Sequence, residues 1–535
     1  MFSRLFLAIT LSLLSNVATA AFDTGDAKVD SAIEVLMGRD FAPKRAALED
    51  IANSSLAQRY QLLEWVLTGE LRVLKKGKRL ARVKKEGKKF VAVGAIGAEP
   101  LGTHSRRKFK KLAINNELRR TLGILLSPRD LNSEDSERRL AAVQTMSSNP
   151  SPALVAVIET KIQSEPDPRV KAAMELLIAL AQLKSDDASV RLASVEAMKD
   201  TLSNGARGML MAVAESDPDD AVKRAAFNAV RAMDGRIQWY RFAETLFFGI
   251  SLGSVLALAA FGLAITFGVM GVINMAHGEF IMLGAYTAYF MQLLLPNFTA
   301  TALLLAIPMA FLVSGAAGVL LERSVIRFLY GRPLETLLAT FGISLILQQA
   351  VRTLVSSQNV PVSNPEFMSG FIAVNDFFSL TYNRLFIVLF TILVFVGLYL
   401  IMKRTRLGLE VRAVSQNRSM AVAMGIKADR VDALTFGLGA GVAGIAGVAL
   451  SQLTNVGPNL GQSYIVDSFL VVVFGGVGNL WGTLVGAMGL GLANKVMEPW
   501  AGAVMAKILV LVLVIMFIQK RPRGLFPQKG RAAEG

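Results

Sequence analysis

The chain has 535 residues, with 57 Lys and Arg against 41 Asp and Glu and a formal charge of +16. It has no cysteine, which excludes disulfide frameworks and thiolate metal sites. Its two histidines, His104 and His277, are too few for a histidine-based metal cluster. A basic balance suits nucleic acid as well as a membrane protein, but no nucleic-acid-binding motif accompanies it. The charge is also segregated: most of it lies in the first half, whereas residues beyond about 241 are dominated by Leu, Val, Ala, Gly and Phe.

Residues 1–20 read as a secretory signal. Arg4 supplies a basic start, 5–14 a short apolar core, and Ala18-Thr-Ala20 an A-x-A cleavage site. The core is too short to span comfortably as an uncleaved anchor. Residues 21–240 then form an exported, soluble, mainly helical domain. Within it, Arg45-Ala-Ala-Leu-Glu-Asp-Ile-Ala and Leu56-Ala-Gln-Arg-Tyr-Gln-Leu-Leu-Glu-Trp space their apolar residues as helices do. The basic run at 75–89 reads as a solvated loop or face, with contact to anionic lipid headgroups as the sharper alternative.

Beyond residue 132 a weak repeat recurs at Glu137-Arg-Arg-Leu-Ala-Ala142, Pro168-Arg-Val-Lys-Ala-Ala173, Ser189-Val-Arg-Leu-Ala193 and Ala221-Val-Lys-Arg-Ala-Ala226. Each copy follows an Asp/Ser/Pro-rich turn. The pattern resembles HEAT-like helical pairs, with an ordinary helical bundle equally open. No catalytic constellation accompanies it, so the domain reads as a binding or spacing module.

Residues 241–535 carry apolar stretches at 246–273, 281–295, 300–321, 336–354, 385–402, 433–453, 464–474, 481–497 and 501–518. The seventh is short and contains Asp467, as a partial or re-entrant helix would. The expected fold class is therefore all-α, a polytopic helical membrane protein of about eight or nine spans. The loop after the third stretch holds Arg323, Arg327 and Arg332. The loop after the fifth holds Lys403, Arg404, Arg406, Arg412, Arg418, Lys427 and Arg430, while 355–383 has no Lys or Arg at all. The positive-inside rule puts the first two loops in the cytoplasm and the last outside. Counting back places the residues before 246 outside, as a signal segment requires. The basic tail at 520–529 is cytoplasmic only if 464–474 acts as a pass.

Asn274, His277 and Glu279 stand at the junction of the first two stretches, and no Asp, Glu, Lys or Arg occurs at 245–278 or 280–321. Polar groups at such a place are expensive and face protein or a water-filled path. An acid–base pair for an intramembrane hydrolase would need a nucleophile or metal partner, and no such motif is present. A turn or gate at the cytoplasmic end of the first span is the expected role. Gly439-Ala-Gly-Val-Ala-Gly444 matches the dinucleotide pattern formally, but it lies in an apolar helix without a preceding strand. It is read, like Gly482-Thr-Leu-Val-Gly486, as close helix packing. Asp467 either lines a path or pairs with Lys507.

Four motifs occur in order: Gly271-Val-Ile-Asn-Met-Ala-His-Gly-Glu279, the segment from Arg412-Ala413 to Gly425-Ile426, Val473-Phe-Gly-Gly-Val-Gly-Asn-Leu-Trp-Gly482, and Arg521-Pro-Arg-Gly-Leu-Phe526. Over about 246–526 the chain thereby resembles the branched-chain amino acid (LIV-type) permeases of bacterial ABC importers. The resemblance implies alternating access in the inner membrane, powered by two separate ATPase subunits. It also implies a second LIV-type permease subunit, a periplasmic solute-binding protein and surrounding membrane lipid as partners. Glu410, Arg412, Ala413, Ala421, Gly425 and Ile426 match the family's ATPase-coupling segment. The chain has no P-loop, so ATP hydrolysis falls to the partners; neither an enzyme activity nor a cofactor is expected.

A signal segment plus a long exported extension resembles the urea-transport branch, and urea is the leading substrate. Urea is neutral and calls for amide and hydroxyl partners. Asn274, Gln348 and Gln349, with Ser251 or Thr266, are candidates beside His277, Glu279 and Asp467. Short amides or branched-chain amino acids remain open as substrates. A membrane-anchored scaffold or sensor is the competing reading of another class.

Overall fold

The computed structural model describes residues 26–38, 40–75, 79–86, 89–96, 99–150 and 152–526. The expected signal at 1–20, part of the 75–89 basic run and the end of the basic tail lie outside the described residues. The chain divides into two compact units, Met1–Asp234 and Gly235–Gly535.

The first unit opens with α1 (Ala27–Met37), α2 (Lys44–Ala52) and α3 (Arg59–Thr68). A five-stranded antiparallel sheet follows, made of β1 (Leu71–Leu74), β2 (Arg79–Glu86), β3 (Lys89–Gly94), β4 (Pro100–His104) and β5 (Phe109–Lys111) in the order β4-β3-β2-β1-β5. This sheet is not the helical and loop structure expected here. Leu71, Val73 and Leu80 pack into one core with the helices, while Ala81, Val83, Phe90, Ala92 and Phe109 form another. Successive residues point to opposite faces of a strand. With apolar groups needed on both faces and lysines interspersed among them, the period of two is hard to read from the sequence. The stretch 71–111 holds 15 of the chain's Lys and Arg against two acids, so nearly all of the chain's surplus charge falls within these residues of the sequence.

Helices α4 (Asn116–Asp130), α5 (Ser136–Ser147), α6 (Pro152–Lys161), α7 (Pro168–Gln182), α8 (Ala188–Met198) and α9 (Asn204–Ser216) complete the unit together with the start of α10 (Asp220–Met270). Asp135, Asp167 and Asp187 each accept a hydrogen bond from a backbone N–H two residues on, which satisfies donors at a helix start. The segment is an internal duplication with a period of about 52 residues. Buried Val143, Met146, Ile158, Val170 and Met174 recur as Val195, Met198, Leu210, Val222 and Ala226. Its electrostatics recur too. Arg139 forms a bidentate pair with Glu165 at 2.9 and 2.8 Å and donates to the carbonyls of Ser133 and Glu134. Arg191 does the same with Asp217, at 2.8 Å twice, and with the carbonyls of Ser185 and Asp186. Each clamp ties the start of one helix to the turn that precedes a later one.

The second unit holds the remainder of α10, then α11 (His277–Leu294), α12 (Thr299–Ser324), α13 (Pro333–Leu354), a hairpin of β6 (Phe371–Asn375) and β7 (Phe378–Thr381), α14 (Tyr382–Arg404), α15 (Arg406–Gln416), α16 (Arg418–Ala423), α17 (Ala428–Ser451), α18 (Gln462–Gly475) and α19 (Leu480–Lys520). Six of these helices, α10, α12, α13, α14, α17 and α19, are long and apolar enough to cross a membrane. Helix α19 is two helices joined by a kink at Gly502 (φ 79°), so the stretches expected at 481–497 and 501–518 are separate arms. Helix α17 is buried along nearly its whole length. It packs against α10, α11 and α12 through small residues: a Cβ on Gly284 would run into the Gly444 backbone, and one on Gly439 into the Gly262 carbonyl. The Gly439–Gly444 run therefore does what the apolar-helix reading expects.

Loop-to-loop bonds sort the helix ends onto two faces. Val360 and Val456 bridge each other, and Arg352 donates to Asn459, so the loops after α13 and α17 share one face. Arg418 reaches from α16 to Tyr330 and Asp432, which places the loops after α12 and α14 together on the other. Leu525 and Phe526 hydrogen-bond to the carbonyls of Phe474 and Gly475, so the chain end meets the C-terminus of α18.

Candidate functional site

Between α10 and α11, residues 271–276 are not helical. Gly271 has φ 65°, a left-handed conformation that lets the chain reverse. The Asn274 side chain closes the next turn by accepting from the Ala276 N–H at 2.9 Å, and the Met275 N–H donates to Thr340 Oγ1 at 3.1 Å. The chain turns at the end of α10, as expected, and then runs back inward before the next helix begins. His277 Nε2 lies 2.9 Å from the Ala259 carbonyl, and Ala259 precedes the end of α10 by about 16 Å at 1.5 Å per residue. Ser344, which donates to Glu279, lies about 16 Å from one end of α13 and about 15 Å from the other. Helix α11 therefore begins near mid-span.

Helix α18 begins beside it. Gly278 and Gly461 abut so closely that a Cβ on either would enter the other's carbonyl. Two helix N-termini thus meet inside the bilayer-spanning body, each preceded by irregular backbone. Such interrupted helices are tolerated at membrane depth only where protein or a cavity surrounds them.

The polar side chains at this meeting come from α11, α13 and α18. Glu279 Oε1 accepts from Ser344 Oγ and from Gln348 Nε2, each at 2.8 Å. Gln348 Nε2 also lies 3.4 Å from Gln462 Oε1. Thr336, Thr340, Ser344 and Gln348 recur every fourth residue and are all buried. The opposite side of α13 exposes Leu334, Leu338, Phe341, Leu345 and Ile346. One helix thus shows lipid an apolar face and the protein interior a polar stripe. Glu279 Oε2, Asn274 Nδ2 and His277 Nδ1 are buried and have no hydrogen-bond partner among the described residues. Buried polar atoms are usually satisfied, so a concentration of free ones marks a place where something polar binds or passes. The cluster contains one carboxylate, amides and hydroxyls. The nearest cation on α13 is Arg352, one turn past Gln348, held by Asn459 Oδ1 at 2.7 Å.

The structure joins Glu279 and Gln348 directly, holds Asn274 and His277 in the turn that leads into the same helix, and separates the other candidates from them. Gln349 is exposed on the far side of α13. Asp467 lies 3.5 Å from Lys507, the ion-pair alternative. Thr266 bonds within its own helix to the Gly262 and Leu263 carbonyls, while Ser251 Oγ is buried and unpaired. Thr340, Ser344 and Gln462 join the site although sequence reading passed over them. The four-residue spacing of Thr336, Thr340, Ser344 and Gln348 was the available signal.

In the basic loop, Glu410 pairs with Arg406 at 2.8 Å, and Arg412 donates to the Met402 carbonyl. The Ala413 carbonyl accepts from Asn417, and the Ala421 carbonyl from Ile426. Gly425, with φ 88°, turns the chain into α17. Among the described residues no group of His, Cys, Asp or Glu side chains is arranged to hold a metal.

Membrane-length helices around a mid-depth polar cluster define a multi-pass permease rather than an enzyme. The chain belongs to the family described as branched-chain amino acid transport system / permease component, whose match covers residues 245–518. It is similar to the high-affinity branched-chain amino acid transport system permease protein BraD of Pseudomonas aeruginosa, 32% identical over 295 residues, covering 54% of this chain and 96% of that protein. LivH of Escherichia coli K12, a permease protein of the same description, is 30% identical over 298 residues, again 54% and 96%. LivM of Salmonella typhimurium is 25% identical over 294 residues, 50% of this chain and 66% of that protein. No solved structure matches the chain.

Proposed function

We propose that this chain is the membrane-spanning subunit of an ABC importer of the bacterial inner membrane, that urea is its cargo, and that residues 21–240 are periplasmic. The observation that carries the transport reading is Glu279. Its carboxylate sits near mid-span with one oxygen bound by Ser344 and Gln348 and the other free. Urea offers N–H donors to the free oxygen and a carbonyl to amide donors such as Asn274 Nδ2. The side chains that hydrogen-bond Glu279 are a hydroxyl and an amide, which suits a neutral cargo. The long N-terminal unit, outside the family match, supports the urea branch.

A branched-chain amino acid is the second reading. The names of the relatives favour it, and Arg352 beyond Gln348 supplies a cation for a carboxylate. Two ATPase subunits, a second permease comparable to LivM and a solute-binding protein complete the proposed importer. The basic sheet at 71–111 suits acidic surfaces on such partners or anionic lipid headgroups.

The test is uptake of labelled urea and labelled leucine, at micromolar concentration, by cells with and without the chain. Urea uptake lost on deletion and restored by the intact chain supports the first reading. Loss of leucine uptake alone moves the cargo to amino acids, and no transport defect removes the permease reading.

A further inference from the structure

On the face that carries the basic loops, Arg418 stands at the start of α16 and reaches both α17 and the loop after α12. Its Nη2 lies 2.6 Å from Asp432 Oδ2 in the second turn of α17 and 3.8 Å from Asp429 Oδ1. Its guanidinium stacks over the Tyr330 ring at 4.7 Å to the centroid. Asp432 is 1% exposed, and Glu322 at the end of α12, at 2%, is a second buried acid in the same region. Arg418 itself is 41% exposed at the side chain. An open cavity of about 670 Å³ adjoins the network, lined by Glu322, Arg323, Arg327, Gly425, Asp429 and Arg430.

We infer that Arg418 is a positioning residue, a strut that makes α16 and α17 move as one body and so carries motion from the basic loop to the polar site. The physical reason is asymmetry of solvation. If α16 moves away without α17, Arg418 regains water, but the Asp432 carboxylate is left buried without its cation close to Glu322. Separating a buried pair is strongly unfavourable because the stranded charge has no compensation. Apolar packing of Ala421 on α16 with Ala428 and Val431 on α17, and with Val411 and Val414 on α15, also holds these elements together, but without direction. The pair supplies the direction.

The route onward is short. Helix α17 meets α11 through Gly444 against Gly284 and Gly447 against the Ile281 carbonyl, with no side chain between to absorb a shift. Glu279 lies on that same helix, two residues before Ile281. Displacement of α16 by a docked ATPase therefore moves the mid-span site.

This inference rests on the ATPase-coupled reading above, and the test separates the two. In proteoliposomes containing the whole importer, solute moved per ATP hydrolysed is measured for the parent, Arg418→Ala, Arg418→Lys and Asp432→Asn. The ratio is expected to fall at least ten-fold in Arg418→Ala and Asp432→Asn and to recover most of its value in Arg418→Lys. Asp432→Asn keeps the volume and leaves only a solvated guanidinium, so it informs even if Arg418→Ala misfolds. The chain has no cysteine. In Arg418→Cys/Asp432→Cys, a short bifunctional thiol reagent should restore the ratio that the double substitution lowers. An unchanged ratio in Asp432→Asn, or no recovery on bridging, overturns the strut. A parent importer that hydrolyses ATP without moving solute overturns the transport reading instead.

Discussion

Glu279 concentrates the chemistry of the site because its two oxygens differ: one accepts from Ser344 and Gln348, and the other is free. Glu279→Gln keeps the size but replaces one acceptor by a donor, which faces the Ser344 and Gln348 donors or the cargo. Uptake should fall at least ten-fold with the chain still present in the membrane at the parent level, measured by transport beside immunoblotting. Arg352→Gln discriminates between cargoes. Urea uptake should be nearly unchanged, because a neutral solute needs no cation, whereas amino-acid uptake should be lost. Gly284 illustrates a purely steric residue. Its Cβ position is occupied by the Gly444 backbone, so Gly284→Ala forces α11 and α17 apart. Overpacking of this kind typically costs about 1–3 kcal/mol, visible as a lower melting temperature in detergent.

At the scale of elements, the duplicated Arg clamps make the stability of the first unit depend on pH. Hydrogen bonds from Arg139 hold the Glu165 carboxyl below the ordinary carboxylate range, and those from Arg191 do the same for Asp217. A carboxylate depressed in the folded state stabilises fully above its unfolded pKa, and that contribution is lost as pH falls through the folded value. Hydrogen exchange across 131–217 in the full chain should therefore accelerate as pH drops below about 4, after correction for intrinsic rates. Asp217→Asn should flatten that dependence. Arg191→Ala strands a nearly fully buried carboxylate and is expected to cost about 3–5 kcal/mol. By contrast Arg45→Ala, which removes an exposed pair with Glu49, is expected to cost at most about 0.5 kcal/mol. The sheet shows the opposite kind of element. No single residue announces it, because its strands are short and its lysines interrupt the alternation.

For the whole second unit, sidedness is the property that matters. The shared loop bonds place the loop after α13 with Val456 and Asn459 on one face, and the loops that carry Tyr330 and Arg418 on the other. The C-terminal ends of α18 and α19 meet, so the tail shares a face with the end of the 14-residue α18, and 464–474 is expected to serve as a pass. In this cysteine-free chain, Asn375→Cys should react with an impermeant maleimide in intact cells. Ser415→Cys and Arg523→Cys should react only after permeabilisation. Labelling of Arg523→Cys from outside would remove α18 as a crossing.

The sequence by itself determined the membrane-spanning half, because charge-free stretches of crossing length have few other stable solutions and Lys/Arg asymmetry orients them. It also marked Asn274, His277 and Glu279, whose polarity is conspicuous against so apolar a background. The tertiary structure decided what stands beside them. Ser344 and Gln348 come from a helix more than 60 residues away in sequence, and Gln462 from another. Their convergence depends on glycine-to-glycine approaches that let α11 and α18 start near mid-span. It also decided that Gln349, adjacent to Gln348, faces outward, since neighbouring helical residues lie about 100° apart around the axis. Composition and charge pattern are summed along the chain and survive in the sequence. Which polar atoms meet depends on backbone approach between distant elements, and only the packed fold fixes that.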